Sequence, residues 1–377
     1  MFKIGQKFSE TKSFNQEDVD AFAKVTGDHN KLHRAGQENY LMFNGPIVHG
    51  ALIMGYFSKI FATDLPGPGT IYLSQELLFK RPLYVGEEAN FSVEIADIRG
   101  SKLALTATCV NKNGETVCDG TALLLNKALH KEDIVAKLAE LGVCTGDMLL
   151  VHSAFNSFGP VIGGPQIVID ALSEAVGKDG TLVMPTFNFD FGKGVPYDRK
   201  NTPSKMGAIG ELTRINPHAT RIHHPMYSFA VLGKLAPELS LLKNVSAYGT
   251  DSLFGELYRR RGKILILGLS YNNSMTFFHH VEEMTGCNYR YMKSFTGDII
   301  YEDGTTKKET YTMFVRDIDA GVHTMVDPAG EKLDQLGLVN KIKIGNCDAK
   351  LLKAQDVFNA SQIIVKEESY LLHRIVK

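Results

Sequence analysis

The chain has 377 residues, 44% hydrophobic and 22% charged, and its 41 Lys and Arg against 42 Asp and Glu leave a formal net charge of -1. That length suits two domains, each able to bury its own core, and the balanced charge excludes the basic footprint of a nucleic-acid binder or a membrane-surface patch. The start, Met1 to Lys7, lacks an apolar signal core, and no stretch is apolar for long enough to make a membrane helix, so a cytoplasmic protein is expected.

In chain order, Asn15 is placed to cap a helix whose Val19, Phe22, Ala23 and Val25 fall at helical spacing and whose stop is Gly27. Asp28, Asn30 and His33 follow, and Gly50 then opens an apolar run, Ala51 to Phe61, that reads as a buried helix. A carboxylate and an imidazole facing a helix N-terminus suit the addition of water beside a carbonyl. The side chains hold the water and move its proton, while backbone N–H groups take up enolate charge. After the breaker Leu65-Pro-Gly-Pro-Gly69, strand-like runs at 70–80, 89–97, 102–111 and 116–125 predict an antiparallel sheet, so the first domain is of α+β class. The five Cys form no CxxC pair and no zinc spacing, and no metal is expected. A two-residue hairpin at Asn113-Gly114 would set Cys109 opposite Cys118, where a reducing compartment predicts two packed thiols.

The pattern changes at about Asn126 to His130. Lys131 to Leu141 predicts an amphipathic helix, Met148 to His152 a buried strand, Pro165 to Val176 a helix and Thr181 to Pro185 another strand. This βαβ unit predicts an α/β domain with a largely parallel sheet. Later come a helix near Ser204 to Ile215, a strand at Ile264 to Leu269, a helix from about Ser274 to Thr285 and a hairpin at Asp303-Gly304. The Gly-rich loop Phe158 to Gly164 is neither a Walker motif nor a Gly-x-Gly-x-x-Gly fingerprint. Its place between a strand end and a helix start still suits the pyrophosphate of coenzyme A.

From Phe14 to Leu125 the chain resembles the MaoC-like, R-specific enoyl-CoA hydratases of the hotdog fold. The likeness rests on Asp28-His-Asn30-Lys-Leu-His33, on Ile47-Val-His49-Gly50 and on Thr70 to Gly86. That family's motif runs Asp-x-Asn-Pro-x-His, so the resemblance implies catalytic Asp28 and His33, with Asn30 toward the substrate and Gly50 toward the coenzyme; Lys31 stands where the family has Pro.

From about Lys131 onward the chain resembles the aminoglycoside 3-N-acetyltransferases. The matching motifs are Val151-His-Ser-Ala-Phe-Asn-Ser-Phe-Gly159, Gly163-Gly-Pro-Gln166, Asp179 to Phe187, Met206 to Glu211, His224-Pro225 with Ser228-Phe229, and Phe278-His-His-Val-Glu282. The resemblance implies a general base at His279, with Glu282 three residues on, and a coenzyme A thioester as donor. Candidate coenzyme contacts inside these motifs are Ser153, Ser157, Phe158, Gly159 and Thr186, and candidate substrate contacts are His224 and Ser228. The residue types fit: an amine at neutral pH must lose a proton before attacking a thioester, and an imidazole can take it. His279 and Glu282 share a helix face, whereas His280 cannot. Cys287, two turns from His279, reads as packing rather than as a nucleophile, His218, His223 and His224 lack the spacing of a metal site, and Arg259 to Arg261 read as a solvated helix end.

The expected domains are therefore 1–127, a hotdog hydratase, and 128–377, an N-acyltransferase. The expected function is bifunctional: hydration of a short enoyl-CoA such as crotonyl-CoA, then transfer of the R-3-hydroxyacyl group to an amino sugar, carried on a nucleotide, for surface polysaccharide synthesis. The alternative is an acetyl-CoA-dependent aminoglycoside N-acetyltransferase with an inert hotdog domain. Expected partners are acyl-CoA, the amino sugar and a second copy of the chain, since hotdog domains complete their sheet by pairing; no nucleic acid or membrane is expected.

Overall fold

The computed structural model describes residues 2–36, 43–99 and 101–376. It divides into two compact units, residues 1–128 and 129–377. The first contains β1 (Lys7–Ser13), α1 (Gln16–Thr26), α2 (Gly50–Thr63), β2 (Thr70–Phe79), β3 (Glu88–Arg99), β4 (Lys102–Asn111) and β5 (Thr116–Asn126). The strands form one antiparallel sheet in the order β1-β3-β4-β5-β2. α1 starts at a capping box, in which the Asn15 side chain accepts from the Asp18 N–H while Asp18 accepts from the Asn15 N–H. It ends at Gly27, whose φ of 79° is the left-handed turn that glycine takes without strain.

α2 is apolar nearly all round, and its Ile53, Phe57, Ile60 and Phe61 are buried. They lie on the sheet face built by Phe91, Val93 and Ile95 of β3 and Leu103, Leu105 and Ala107 of β4. Phe57 sits edge-on to Phe91 at 5.3 Å. Burying an aromatic of this size contributes about 2–3 kcal/mol, so α2 is the centrepiece of this core. β2 is an edge strand with Ile71, Tyr72, Leu73, Leu78 and Phe79 exposed. Cys109 and Cys118 are opposite each other, by a route the turn dipeptide did not predict. The loop is Lys112-Asn113-Gly114, closed by Asn111 and Glu115, and a bulge beyond Val110 and Thr116 restores the register.

The second unit runs α3 (Lys131–Leu141), β6 (Met148–Ser153), α4 (Pro165–Val176), β7 (Thr181–Pro185), β8 (Tyr197–Asp198), α5 (Gly207–Ile215), β9 (Thr220–Ile222), β10 (Phe229–Gly233), α6 (Ala236–Leu239), α7 (Leu253–Arg259), β11 (Lys263–Leu267) and α8 (Phe277–Thr285). It continues with β12 (Arg290–Ile300), β13 (Thr306–Arg316), β14 (Val322–Thr324), α9 (Asp327–Gln335), β15 (Asn340–Ile344), β16 (Cys347–Lys353), α10 (Ala354–Glu367) and β17 (His373–Ile375). The main sheet has the order β15-β16-β11-β6-β7-β10-β9.

That sheet is mixed, which corrects the expectation of a largely parallel one. Only β11–β6 and β6–β7 pair in parallel, and every flanking pair is antiparallel. Parallel neighbours need a long crossover, which α4 supplies between β6 and β7. β15 and β16, by contrast, are joined only by Gly345-Asn346, with Ile344 opposite Cys347, and a two-residue turn can make nothing but a hairpin. Both faces of the sheet are covered. Leu149, Val151, Leu265 and Leu267 pack with α3 and α4, while Leu150, Ile264 and Ile266 pack with α7, α8 and α10. A separate hairpin, β12 and β13, turns at Asp303-Gly304 and carries β8 on one edge. Among the described residues no helix is long and apolar enough to cross a membrane.

Cys144 is exposed, Cys287 half-buried, and Cys109, Cys118 and Cys347 buried, all as free thiols. Titration of the native reduced protein with an aromatic disulfide reagent should modify Cys144 at once and Cys287 slowly, releasing the other three only on unfolding. Rapid reaction of Cys109 or Cys118 would contradict the packing of β4 on β5.

Candidate active sites

In the first unit a relay of short backbone contacts builds the site. Thr26 Oγ1 accepts from the Asp28 N–H at 3.2 Å, Asp28 Oδ1 from the Asn30 N–H at 3.2 Å, and Asn30 Oδ1 from the Leu32 N–H at 3.2 Å. The last contact caps a 3₁₀ turn, Lys31–His33, so Asn30 holds the turn without the proline of the family motif. Its carbonyl oxygen accepts from the backbone, which gives Asn30 a part in supporting the loop of Asp28 and His33, while the NH2 of this exposed residue takes no part in that bond.

His33 Nδ1 donates to the Ile47 carbonyl at 2.7 Å, which fixes the tautomer and leaves Nε2 as the basic nitrogen. The His33 ring stacks on His49 at 3.7 Å. His49, the residue before α2, is buried and donates from Nε2 to the Asp28 carbonyl at 3.2 Å, with the Asp28 carboxylate at 4.0 Å. Burial holds His49 below its ordinary pKa; the Asp28 carbonyl opposes that shift and the neighbouring His33 adds to it. Among the described residues its buried Nδ1 has no hydrogen-bond partner.

Asp28, His33 and His49 thus present side-chain atoms within 4.8 Å of one another, a spacing that would also let the three share a metal ion. Of the three, His33 borders a cavity of about 340 Å³, lined also by Ile47, Gly50, Ile53, Phe79 and Leu83 among others. Among the described residues no side chain caps α2 here, so the N–H groups of Gly50 and Ala51, ahead of those of Leu52 and Ile53 that bond the His49 carbonyl, are available to an oxyanion. At Gly50 a Cβ would stand 3.0 Å from the Phe79 ring, so the bare glycine lets the helix start against the cavity wall.

In the second unit α8 turns Phe277, Phe278 and Val281 into the core and leaves His279 and Glu282 together on another face. His279 Nδ1 lies 2.7 Å from Glu282 Oε2, and Tyr289 donates to Glu282 Oε1 at 3.0 Å. Arg290, the first residue of β12, brings Nε to 2.8 Å from Glu282 Oε2, off the hydrogen-bond line, so the contact is ionic. Burial alone would raise the Glu282 pKa, but Arg290, His279 and Tyr289 together bring it below the ordinary value and keep the carboxylate charged.

A charged carboxylate at Nδ1 requires a proton there, which leaves His279 Nε2 basic. The Arg290 guanidinium, 3.0 Å from the same Nδ1, then acts on the ring by charge, and burial plus that charge hold His279 below its ordinary pKa. The ring borders a cavity of about 570 Å³ whose walls include Tyr227, Tyr248, Arg290, Lys293, Phe295 and Arg316. His280 is structural: it is buried and donates from Nδ1 to the Tyr248 carbonyl at 2.6 Å. Cys287 is pushed up to about 11, first by burial, and stays a thiol at neutral pH. His223 contacts Tyr197 and Glu302, and Arg259 and Arg260 pair with Glu256.

Two further cavities open where β6 and β11 end. One of about 310 Å³ is lined by His152, Ser153, Met206, Gly207, Leu269 and Asn273 among others; one of about 700 Å³ is lined by Ser157, Gly268, Leu269, Ser270, Lys343 and Lys350 among others. Gly159 approaches Asn346 so closely that a Cβ would lie 2.7 Å from its Nδ2. Of the expected coenzyme and substrate contacts, Phe158, Thr186, His224 and Ser228 have 0–1% exposure. Thr186 and Ser228 bond each other at 2.8 Å beneath Arg221, and His224 Nδ1 accepts the Met226 and Tyr227 N–H groups. These residues shape the strand ends from inside. His49, Tyr289 and Arg290 were missed; only His49, adjoining the apolar run, carried a local signal.

The family described as aminoglycoside 3-N-acetyltransferase matches residues 150–365, and that described as MaoC like domain matches residues 2–115. The (R)-specific enoyl-CoA hydratase of Aeromonas caviae is 37% identical over 125 residues, 32% of this chain and 93% of that protein. The SPbeta prophage-derived aminoglycoside N(3')-acetyltransferase-like protein YokD of Bacillus subtilis (strain 168) is 33% identical over 175 residues, 40% of this chain and 64% of that relative's length. A solved structure of AAC-IIIb in binary complex with CoASH shares the fold at TM-score 0.56 and 22% identity, covering 64% of this chain and 97% of that one.

Removing the cation beside buried Glu282 tests the electrostatics. Arg290→Met should cost about 3–5 kcal/mol at pH 7 in urea unfolding, and the deficit should shrink in acid as the stranded carboxylate gains a proton. In the unaltered protein both folded pKa values are depressed, so the unfolded state binds more protons in acid. Stability should fall first as pH drops below the 6.5 of an unfolded His and again below the 4.5 of an unfolded Glu.

Proposed function

The chain belongs to the aminoglycoside 3-N-acetyltransferase family and carries a MaoC-like domain ahead of that match, and from this premise we propose a bifunctional, coenzyme A-dependent enzyme. The first unit hydrates a short enoyl-CoA, crotonyl-CoA, to the R-3-hydroxyacyl-CoA. The second transfers that acyl group to the amine of an amino sugar carried on a nucleotide, for surface polysaccharide synthesis. One observation carries the reading: a single chain holds an acid–base cluster at an uncapped helix N-terminus and an imidazole–carboxylate pair on a cavity, and the first site's product has the form of the second site's donor.

In hydration, Asp28 and His33 hold a water whose oxygen bonds to the β-carbon. Its proton passes to the pair, the thioester oxygen takes enolate charge against the first N–H groups of α2, and a proton returns to the α-carbon. In transfer, His279 Nε2 takes a proton from the amine as nitrogen attacks the thioester carbonyl. The C–S bond breaks, coenzyme A leaves as thiolate and recovers that proton, and an amide remains. Glu282 holds the Nδ1 proton and offsets the imidazolium. The cavities beside Ser153 and Ser157, at the carboxyl ends of parallel strands, suit the coenzyme, and no step calls for a metal. The exposed apolar edge strand β2 suits pairing with a second copy, and we expect a homodimer in the cytoplasm.

Incubation with crotonyl-CoA should abolish its conjugated thioester absorbance; persistence of that signal while acyl transfer is active would eliminate the hydratase. Asp28→Asn should slow hydration about 10²- to 10⁴-fold and leave transfer from supplied R-3-hydroxybutyryl-CoA intact, with His279→Ala doing the reverse. If Asp28→Asn changed nothing, the hotdog unit would be inert. Because His279 titrates below 6.5, its limb in the transfer pH profile should fall in acid rather than near neutrality.

A further inference from the structure

The cavity beside His279 carries a charge pattern that selects its acceptor. Its charged lining is Arg290, Lys293, Arg316 and one carboxylate, Asp319. Arg290 and Arg316 stand directly opposite each other on β12 and β13, where like charges destabilise a ladder unless something neutralises them. Glu282 does so for Arg290. For Arg316 the contact in hand is neutral, a bond from its guanidinium to Thr324 Oγ1 at 3.2 Å, and Lys293 has its ammonium 5.5 Å from the centre of the Phe295 ring. Among the described residues neither cation forms an ion pair within 4 Å. Phe189 and Tyr291, 40% and 44% exposed, add flat apolar surface to the same cavity.

The geometry points to Lys293 and Arg316 as an anion subsite of the acceptor cavity, holding the phosphates of a nucleoside diphosphate-linked amino sugar while its amine lies at His279. The inference rests on the N-acyltransferase reading of the second unit and names its acceptor class. Phosphate oxygens would supply the charge that Arg316 and Lys293 lack, and a base or sugar ring would lie on the exposed aromatics. A polycationic aminoglycoside would instead meet two cations unpaired among the described residues, Lys293 and Arg316, against one carboxylate, Asp319. Coenzyme A also carries a diphosphate, but its proposed place is beside Ser153 and Ser157, cavities lined by other residues.

The test is calorimetric titration of UDP into the full chain saturated with coenzyme A, which removes the coenzyme's own phosphate sites from competition. UDP should bind, more weakly as salt rises. Lys293→Gln and Arg316→Gln should each weaken it about tenfold or more while coenzyme A affinity stays unchanged, which also reports an intact fold. Absence of UDP binding, variants that bind UDP as tightly as the unaltered chain, or variants that weaken coenzyme A instead would each overturn the subsite. The underlying reading is checked separately, by acetyl transfer to a panel of amines and its loss in His279→Ala. If that transfer persists while UDP fails to bind, only the anion subsite falls.

Discussion

A carboxylate with no solvent exposure is tolerable only when its charge is met at contact distance, and Glu282 organises the second unit for that reason. Arg290 meets it from the start of β12, Tyr289 from the residue before, and His279 from one turn back along α8. The arrangement ties a helix of the main core to the separate β12–β13 hairpin, and the cavity is formed between them. It also decides which nitrogen of His279 is basic. Packing, tautomer and electrostatics at this site are consequences of one buried ion pair.

The first unit reaches an acid–base cluster by cheaper means. Asp28 is half exposed, and a chain of backbone contacts from Thr26 to Leu32 sets its position without a buried charge. The contrast suits the two reactions proposed. Hydration needs water as a reagent, so an open carboxylate is an advantage. Acyl transfer must keep water from the thioester, and a buried dyad in an aromatic-walled cavity serves that end.

The mixed sheet gives the second unit its layout. A parallel centre of three strands, β11, β6 and β7, brings strand ends and helix starts to one side, where Ser153 and Ser157 border cavities. Antiparallel flanks close the sheet with short connections, and they place Thr186, His224 and Ser228 inside rather than on a surface. Conformity to a family motif is thus compatible with a structural role: these side chains hold the strand ends that frame the site.

Local chemistry was legible in the residues themselves. Periodicity with a Gly stop or a Pro start delimited Lys131–Leu141 and Pro165–Val176 to the residue, and the spacing of His279 and Glu282 put them on one helix face, because caps and side-chain period act within a few residues. Choosing His279 over His280 needed the likeness to a family, since both lie on the same turn. Strand direction at the sheet's flanks, the burial of Phe158 and Thr186, and the arrival of Arg290 at Glu282 were decided only by tertiary structure. Each depends on segments distant in sequence closing on one another, and a charge that is neutralised from another element leaves no periodic trace in the chain that carries it.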